Sequence, residues 1–125
     1  MCRNLTLLDF SHNDFTCAII SVHLEGLREL VQIGLQHDLL DGCIPSSLSA
    51  LPLVHSIQFS NNHFNGHLDE FSNISSSILE TLDLSRNKLE GPIPLSIFSL
   101  TSLNFLKLSF NKLNGTLKLD VIQRL

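Results

Sequence analysis

Histidine and cysteine are the side chains here that could carry chemistry outright, and the chain holds six of the first and three of the second. His12 and His37 lie 25 residues apart, and Cys17 and Cys43 lie 26 apart. If the fold returns on itself at that interval, the histidines offer two imidazoles to a metal and the cysteines a possible disulfide. Cys17 near His12 has the composition of a thiolate–imidazole nucleophile. Three sequons, Asn4-Leu5-Thr6, Asn73-Ile74-Ser75 and Asn114-Gly115-Thr116, are candidate N-glycan acceptors. Each idea depends on what the rest of the chain does between these residues.

At 125 residues the chain is one domain's worth of sequence. A net charge of −4 disfavours nucleic acid, which selects clustered cations. No stretch approaches the roughly 18 uninterrupted apolar residues of a membrane helix, and the start, Met1-Cys2-Arg3-Asn4, leads into no apolar signal-peptide core. Leucine supplies 26 residues and asparagine 10, while tryptophan and tyrosine are absent. So strong a bias toward one aliphatic residue points to a short unit repeated.

Five copies align almost without gaps. They run Leu5-x-x-Leu8-x-Phe10-x-x-Asn13-x-Phe15, then Leu30-x-x-Ile33-x-Leu35-x-x-Asp38-x-Leu40-x-Gly42-x-Ile44-Pro45. Val54-x-x-Ile57-x-Phe59-x-x-Asn62-x-Phe64-x-Gly66-x-Leu68 is the third. Leu79-x-x-Leu82-x-Leu84-x-x-Asn87-x-Leu89-x-Gly91-x-Ile93-Pro94 and Leu103-x-x-Leu106-x-Leu108-x-x-Asn111-x-Leu113-x-Gly115-x-Leu117 complete the set. The starts are separated by 25, 24, 25 and 24 residues. The corresponding repeat boundaries are 5–29, 30–53, 54–78, 79–102 and 103–125.

Within each copy the alternation around the paired apolar residues has period two, so this segment is a short strand with one buried face. One such strand cannot bury that face alone; stacked copies form a parallel sheet over a continuous core. The residue series Asn13, Asp38, Asn62, Asn87 and Asn111 follows the strands, where a side-chain amide can both donate to and accept from turn backbone. Asp38 breaks the series, because a carboxylate has no proton to donate, and a weaker link is expected there. The glycines mark a backbone conformation costly to any residue with a Cβ. Ser46 to Leu51 and Leu95 to Leu100 are expected to form helical or 3₁₀ turns that close the coil.

The repeat returns the reactive residues to ordinary positions. His12 and His37 share a repeat position and should stand about 5 Å apart on neighbouring coils, but two ligands without a third make a poor metal site. Cys17 and Cys43 fall near equivalent places, so a disulfide is geometrically possible, against two small buried or half-buried thiols. No residue is positioned to orient a Cys17–His12 pair, and no oxyanion loop is evident. No cofactor, metal or catalytic site is expected.

These motifs, spread over the whole chain after its first four residues, resemble the plant-type leucine-rich repeat, and Leu79 to Leu100 follows that pattern most fully. The segments Leu68-Asp69-Glu70-Phe71-Ser72-Asn73 and Leu113-Asn114-Gly115-Thr116 are similar to the extracellular repeats of disease-resistance-type receptor-like proteins. The resemblance implies an α/β solenoid: a right-handed superhelix of about five 24-residue coils, with a concave parallel sheet and a second short strand near each glycine. It also implies recognition of a peptide, protein or glycan at the outer face of the plasma membrane, in defence or development, with a partner kinase acting through the parent receptor. The runner-up is a soluble cell-wall inhibitor of pectin-degrading enzymes, and the bland alternative a truncated product with no function of its own. Cys17 in place of glycine, and Leu68-Asp69 in place of Ile-Pro, make copies one and three the least regular. With no capping unit recognisable at either end, the array is expected to be an internal stretch of a longer receptor.

Parity places the binding surface. Leu7, Asp9 and Ser11 point outward, followed by Gln32, Gly34 and Gln36, by Ser56, Gln58 and Ser60, by Thr81, Asp83 and Ser85, and by Phe105, Lys107 and Ser109. His12, His37, Asn61, Arg86 and Phe110 lie just beyond the strands. Arg86, Phe105, Lys107 and Phe110 form the expected anchor patch, an aromatic pair beside cations, with Asp83, Gln58, His12 and His37 as further ligand-facing candidates.

Overall fold

The period-two segments become strands because successive copies bury the same two apolar side chains against one another. The computed structural model describes residues 5–9, 11, 27–44, 48, 51–68 and 78–114. Nine strands lie within them: β1 (Leu7–Asp9), β2 (Gln32–Gly34), β3 (Asp41–Cys43), β4 (Ser56–Gln58), β5 (His63–His67), β6 (Thr81–Asp83), β7 (Lys88–Pro92), β8 (Phe105–Lys107) and β9 (Lys112–Asn114). They form two parallel sheets, one of five strands in the order β1-β2-β4-β6-β8 and one of four in the order β3-β5-β7-β9. The result is a right-handed solenoid in which each coil gives one strand to the concave sheet.

The register follows the repeat. Leu8 lies beside Ile33, Ile33 beside Ile57, Ile57 beside Leu82, and Leu82 beside Leu106. Beyond the strands the ladder continues through the next apolar position. The amide of Leu35 donates to the Gln58 carbonyl, that of Phe59 to Asp83, and that of Leu84 to Lys107, at 2.8–2.9 Å. Ile33, Leu35, Ile57, Phe59, Leu82 and Leu84 are buried in one continuous cluster. Each contributes about 1.5–3 kcal/mol by leaving water. Leu8, Leu106 and Leu108 pack against the same cluster but are only half-buried.

The polar series works as a cross-coil cap. Asn62 Oδ1 accepts the amide of Leu40, Asn87 Oδ1 that of Phe64, and Asn111 Oδ1 that of Leu89, at 3.1–3.2 Å. Their Nδ2 groups donate back to carbonyls of their own coil and the preceding one, such as Asn87 to Leu84 and Phe59. Asp38 is 3% exposed and makes an interaction of its own, yet its Oδ2 has no hydrogen-bond partner. Asn13 lies outside the described residues.

In coils two to four the second strand contains a glycine with positive φ. Gly42, Gly66 and Gly91 have φ of 86°, 78° and 81°. A Cβ on Gly91 would come within 2.7 Å of His67 Nδ1, so the position excludes side chains for space as well as for torsion. In copy four a 3₁₀ helix, Leu95–Ser99, follows Pro94 and buries Ile97 and Phe98. Leu48, at the position in copy two equivalent to Ile97, is likewise buried. The outer segments of copies one and three, and with them Cys17 and Ser72 to Ser77, lie outside the described residues.

One outward assignment is corrected. Ser85 is 2% exposed, its side chain turned back onto its own coil, whereas Ser109 at the equivalent position is exposed. The Ser85 hydroxyl and amide both donate to Asp83 Oδ1, at 2.7 and 3.1 Å.

Candidate functional site

Three-residue strands leave little room for variation on their buried side, so differences between copies collect on the outer face of the five-stranded sheet. There Gln36 Nε2 donates to Gln58 Oε1 at 3.0 Å, and Gln58 Nε2 donates to Ser56 Oγ at 3.3 Å. These bonds run across coils two and three and hold Gln58 at the border of an open depression of about 310 Å³, lined by Gln58, Thr81, Asp83 and Phe105. A space of that size is at the low end for small-ligand pockets, enough to seat one or two side chains of a peptide. One wall is a carboxylate and the other an aromatic ring. Asp83 Oδ1 is engaged by Ser85, which fixes the carboxylate in place.

Beyond the strands lies a row of residues with an unusual backbone. His37, Asn61, Arg86 and Phe110 have φ of 63°, 60°, 58° and 59°, the left-handed region. The first three also bond to the next coil. The amide of His37 donates to the Ser60 carbonyl, Asn61 to Ser85, and Arg86 to Ser109, at 2.9–3.0 Å. Asparagine and histidine tolerate this region comparatively well, while a bulky residue is an outlier there. The cost is about 1–2 kcal/mol for a residue with a Cβ.

The side chains of the row pair off. The Asn61 side-chain amide and the His37 ring nitrogen Nδ1 are hydrogen-bonded at 2.7 Å. The Arg86 guanidinium carbon sits 4.3 Å from the centroid of the Phe110 ring. Phe110 is 67% exposed and Phe105 48% exposed. The exposed stack contributes about 0.5–1 kcal/mol, less than two strained backbones cost. Large apolar surface so placed marks contact sites more often than core.

The structure therefore brings Arg86 and Phe110 together and puts Phe105, Asp83 and Gln58 around one depression. Lys107 is exposed on β8, in register with Asp83, and does not line it. His37 is exposed in the row, and His12 lies outside the described residues. Thr81 belongs to the depression and was absent from the anchor patch; only its outward parity signalled it. Cys43 is a free, exposed thiol, which corrects the disulfide expectation and, for this residue, the buried-thiol one, while Cys17 lies outside the described residues; Cys43 sits on β3, with its Sγ 2.8 Å from where a Cβ on Gly66 would be. Asn114 is exposed on β9, whereas Asn4 and Asn73 lie outside the described residues. Among the described residues no group of three or more His, Cys, Asp or Glu is arranged to hold a metal ion, and no helix is long and apolar enough to cross a membrane.

Known proteins carry the same pattern. The Leucine Rich Repeat family pattern matches residues 79–100. Receptor-like protein 36 of Arabidopsis thaliana is 36% identical over 100 residues, covering 80% of this chain and 14% of that protein. Receptor like protein 23 of the same plant is 35% identical over 71 residues, covering 57% of this chain and 8% of that protein. Among solved structures, the leucine-rich-repeat ectodomain of the Arabidopsis thaliana receptor kinase GASSHO1/SCHENGEN3, in complex with CASPARIAN STRIP INTEGRITY FACTOR 2, superposes with a TM-score of 0.89 at 33% identity. The match covers 98% of this chain and 14% of that one. The Arabidopsis receptor kinase HAESA, in complex with the peptide hormone IDA and the co-receptor SERK1, gives 0.83 at 31% identity, covering 92% and 19%. The chain thus spans a small part of the relatives it matches.

Proposed function

We propose that this chain, which belongs to the leucine-rich-repeat family and is similar to plant receptor-like proteins, is a non-catalytic recognition module that takes an extended peptide or a protein loop on its concave sheet. The observation that carries this reading is the pairing of two features on one side of the array, the Asp83–Phe105 depression and the exposed Arg86–Phe110 contact. Polar ladders hold its shape before any ligand arrives, which lowers the entropic cost of binding. A carboxylate, two cations and two exposed rings give it the aromatic and charged anchors on which recognition energy concentrates. Two similar ectodomains were solved with ligands, one a peptide hormone and the other CASPARIAN STRIP INTEGRITY FACTOR 2, which supports the same use here.

In this reading the chain is one array, part of the extracellular portion of a plasma-membrane receptor that signals through a co-receptor kinase in defence or development. Asn114 then serves as a glycan acceptor on the second sheet, away from the concave face. The test is selection of random linear peptides displayed on phage against the wild-type chain and against a variant with Arg86, Phe105, Lys107 and Phe110 replaced by alanine. Enrichment by the wild type and none by the folded variant is expected. Equal enrichment by both removes the concave face from recognition.

A further inference from the structure

We propose that Arg86 and Phe110 are the specificity-determining residues of this surface, kept at their positions for what they contact and against what the backbone prefers. The proposal rests on the recognition reading above. Four equivalent positions share a φ near 60°, so the fold demands the left-handed region there whatever residue is present. Two of the four carry asparagine and histidine, types that accept this conformation. The other two carry arginine and phenylalanine, types that resist it.

These two are also the pair that stack on each other, with the guanidinium 4.3 Å from the ring centroid. An exposed stack of this kind does not offset two strained backbones, so stability does not account for the choice. Strain retained at a surface position, where an unstrained residue would fit, is characteristic of functional sites. The stack has a second consequence. With the guanidinium carbon 4.3 Å from the ring centroid and Arg86 exposed, the contact restrains where this cation is presented to a ligand. Phe110 acts as a positioning residue for Arg86 and, being 67% exposed, as a contact in its own right.

The inference predicts opposite signs for stability and recognition. Arg86→Asn and Phe110→Asn should each raise the melting temperature by a few degrees, because asparagine relaxes the backbone. Each should also lower recovery of the peptides enriched by the wild-type chain from a displayed random linear library by roughly tenfold or more. Arg86→Lys keeps the charge and the backbone strain but loses the guanidinium stack; it should lower the melting temperature slightly and still lower recovery. If either asparagine variant melts lower than the wild type, the residue type serves stability and the proposal is overturned. It is equally overturned if the variants recover the same peptides as well as the wild type does, an outcome that leaves the recognition reading intact. A wild-type chain that enriches no peptide overturns both.

Discussion

Asn87 Oδ1 accepts the backbone N–H of Phe64, 23 residues earlier in the chain, at 3.2 Å. Asn87 Nδ2 meanwhile donates to the carbonyls of Phe59, Leu84 and Ser85. One side chain thereby satisfies backbone groups of two coils in a place that water does not reach. Asn87→Ala should therefore cost about 1–3 kcal/mol, the price of leaving buried groups unpaired, as measured by urea unfolding. Asn111→Ala should cost less, since Asn111 is only half-buried and water can replace its amide. Equal losses at the two sites would mean that burial does not govern the effect.

Asp38 holds the same position one coil earlier than Asn62 but offers no N–H to the carbonyls around it. Asp38→Asn should stabilise the fold by about 0.5–1.5 kcal/mol, seen as a higher unfolding midpoint with an unchanged slope. A lower midpoint would show that the carboxylate does something an amide does not.

The coil architecture was legible because stacking repeats a local pattern. Aligning Ile33, Ile57 and Leu82 in the sequence is the same act as placing them side by side in the sheet. Gly42, Gly66 and Gly91 announced their positive φ, because glycine is the usual residue in that region. Arg86 and Phe110 announced nothing, since their residue types argue against that torsion. Ser85 was misplaced because parity gives a direction and not a burial: its hydroxyl turns back to Asp83, while Ser109 at the equivalent position is exposed. The anchor patch was legible as a set of outward residues. That Arg86 lies on Phe110, while Phe105 faces a separate depression with Thr81, depends on side-chain direction and could not be read from spacing.

Gly91 combines a φ of 81° with a missing Cβ that would otherwise meet the His67 ring at 2.7 Å. Gly91→Ala should destabilise by about 1–3 kcal/mol. In a His67→Ala background the crowding is gone but the torsion is not, so the cost of Gly91→Ala should shrink without vanishing. A cost unchanged by His67→Ala would assign the whole effect to the backbone.

Ligands are expected to meet the five-stranded face and its left-handed row. A chemical-shift map of the isotope-labelled chain, titrated with a peptide selected against it, tests this residue by residue. Perturbations should centre on Gln58, Thr81, Asp83, Arg86, Phe105 and Phe110. Perturbations centred instead on His63, His67 and Glu90, which face outward from the four-stranded sheet, would contradict it.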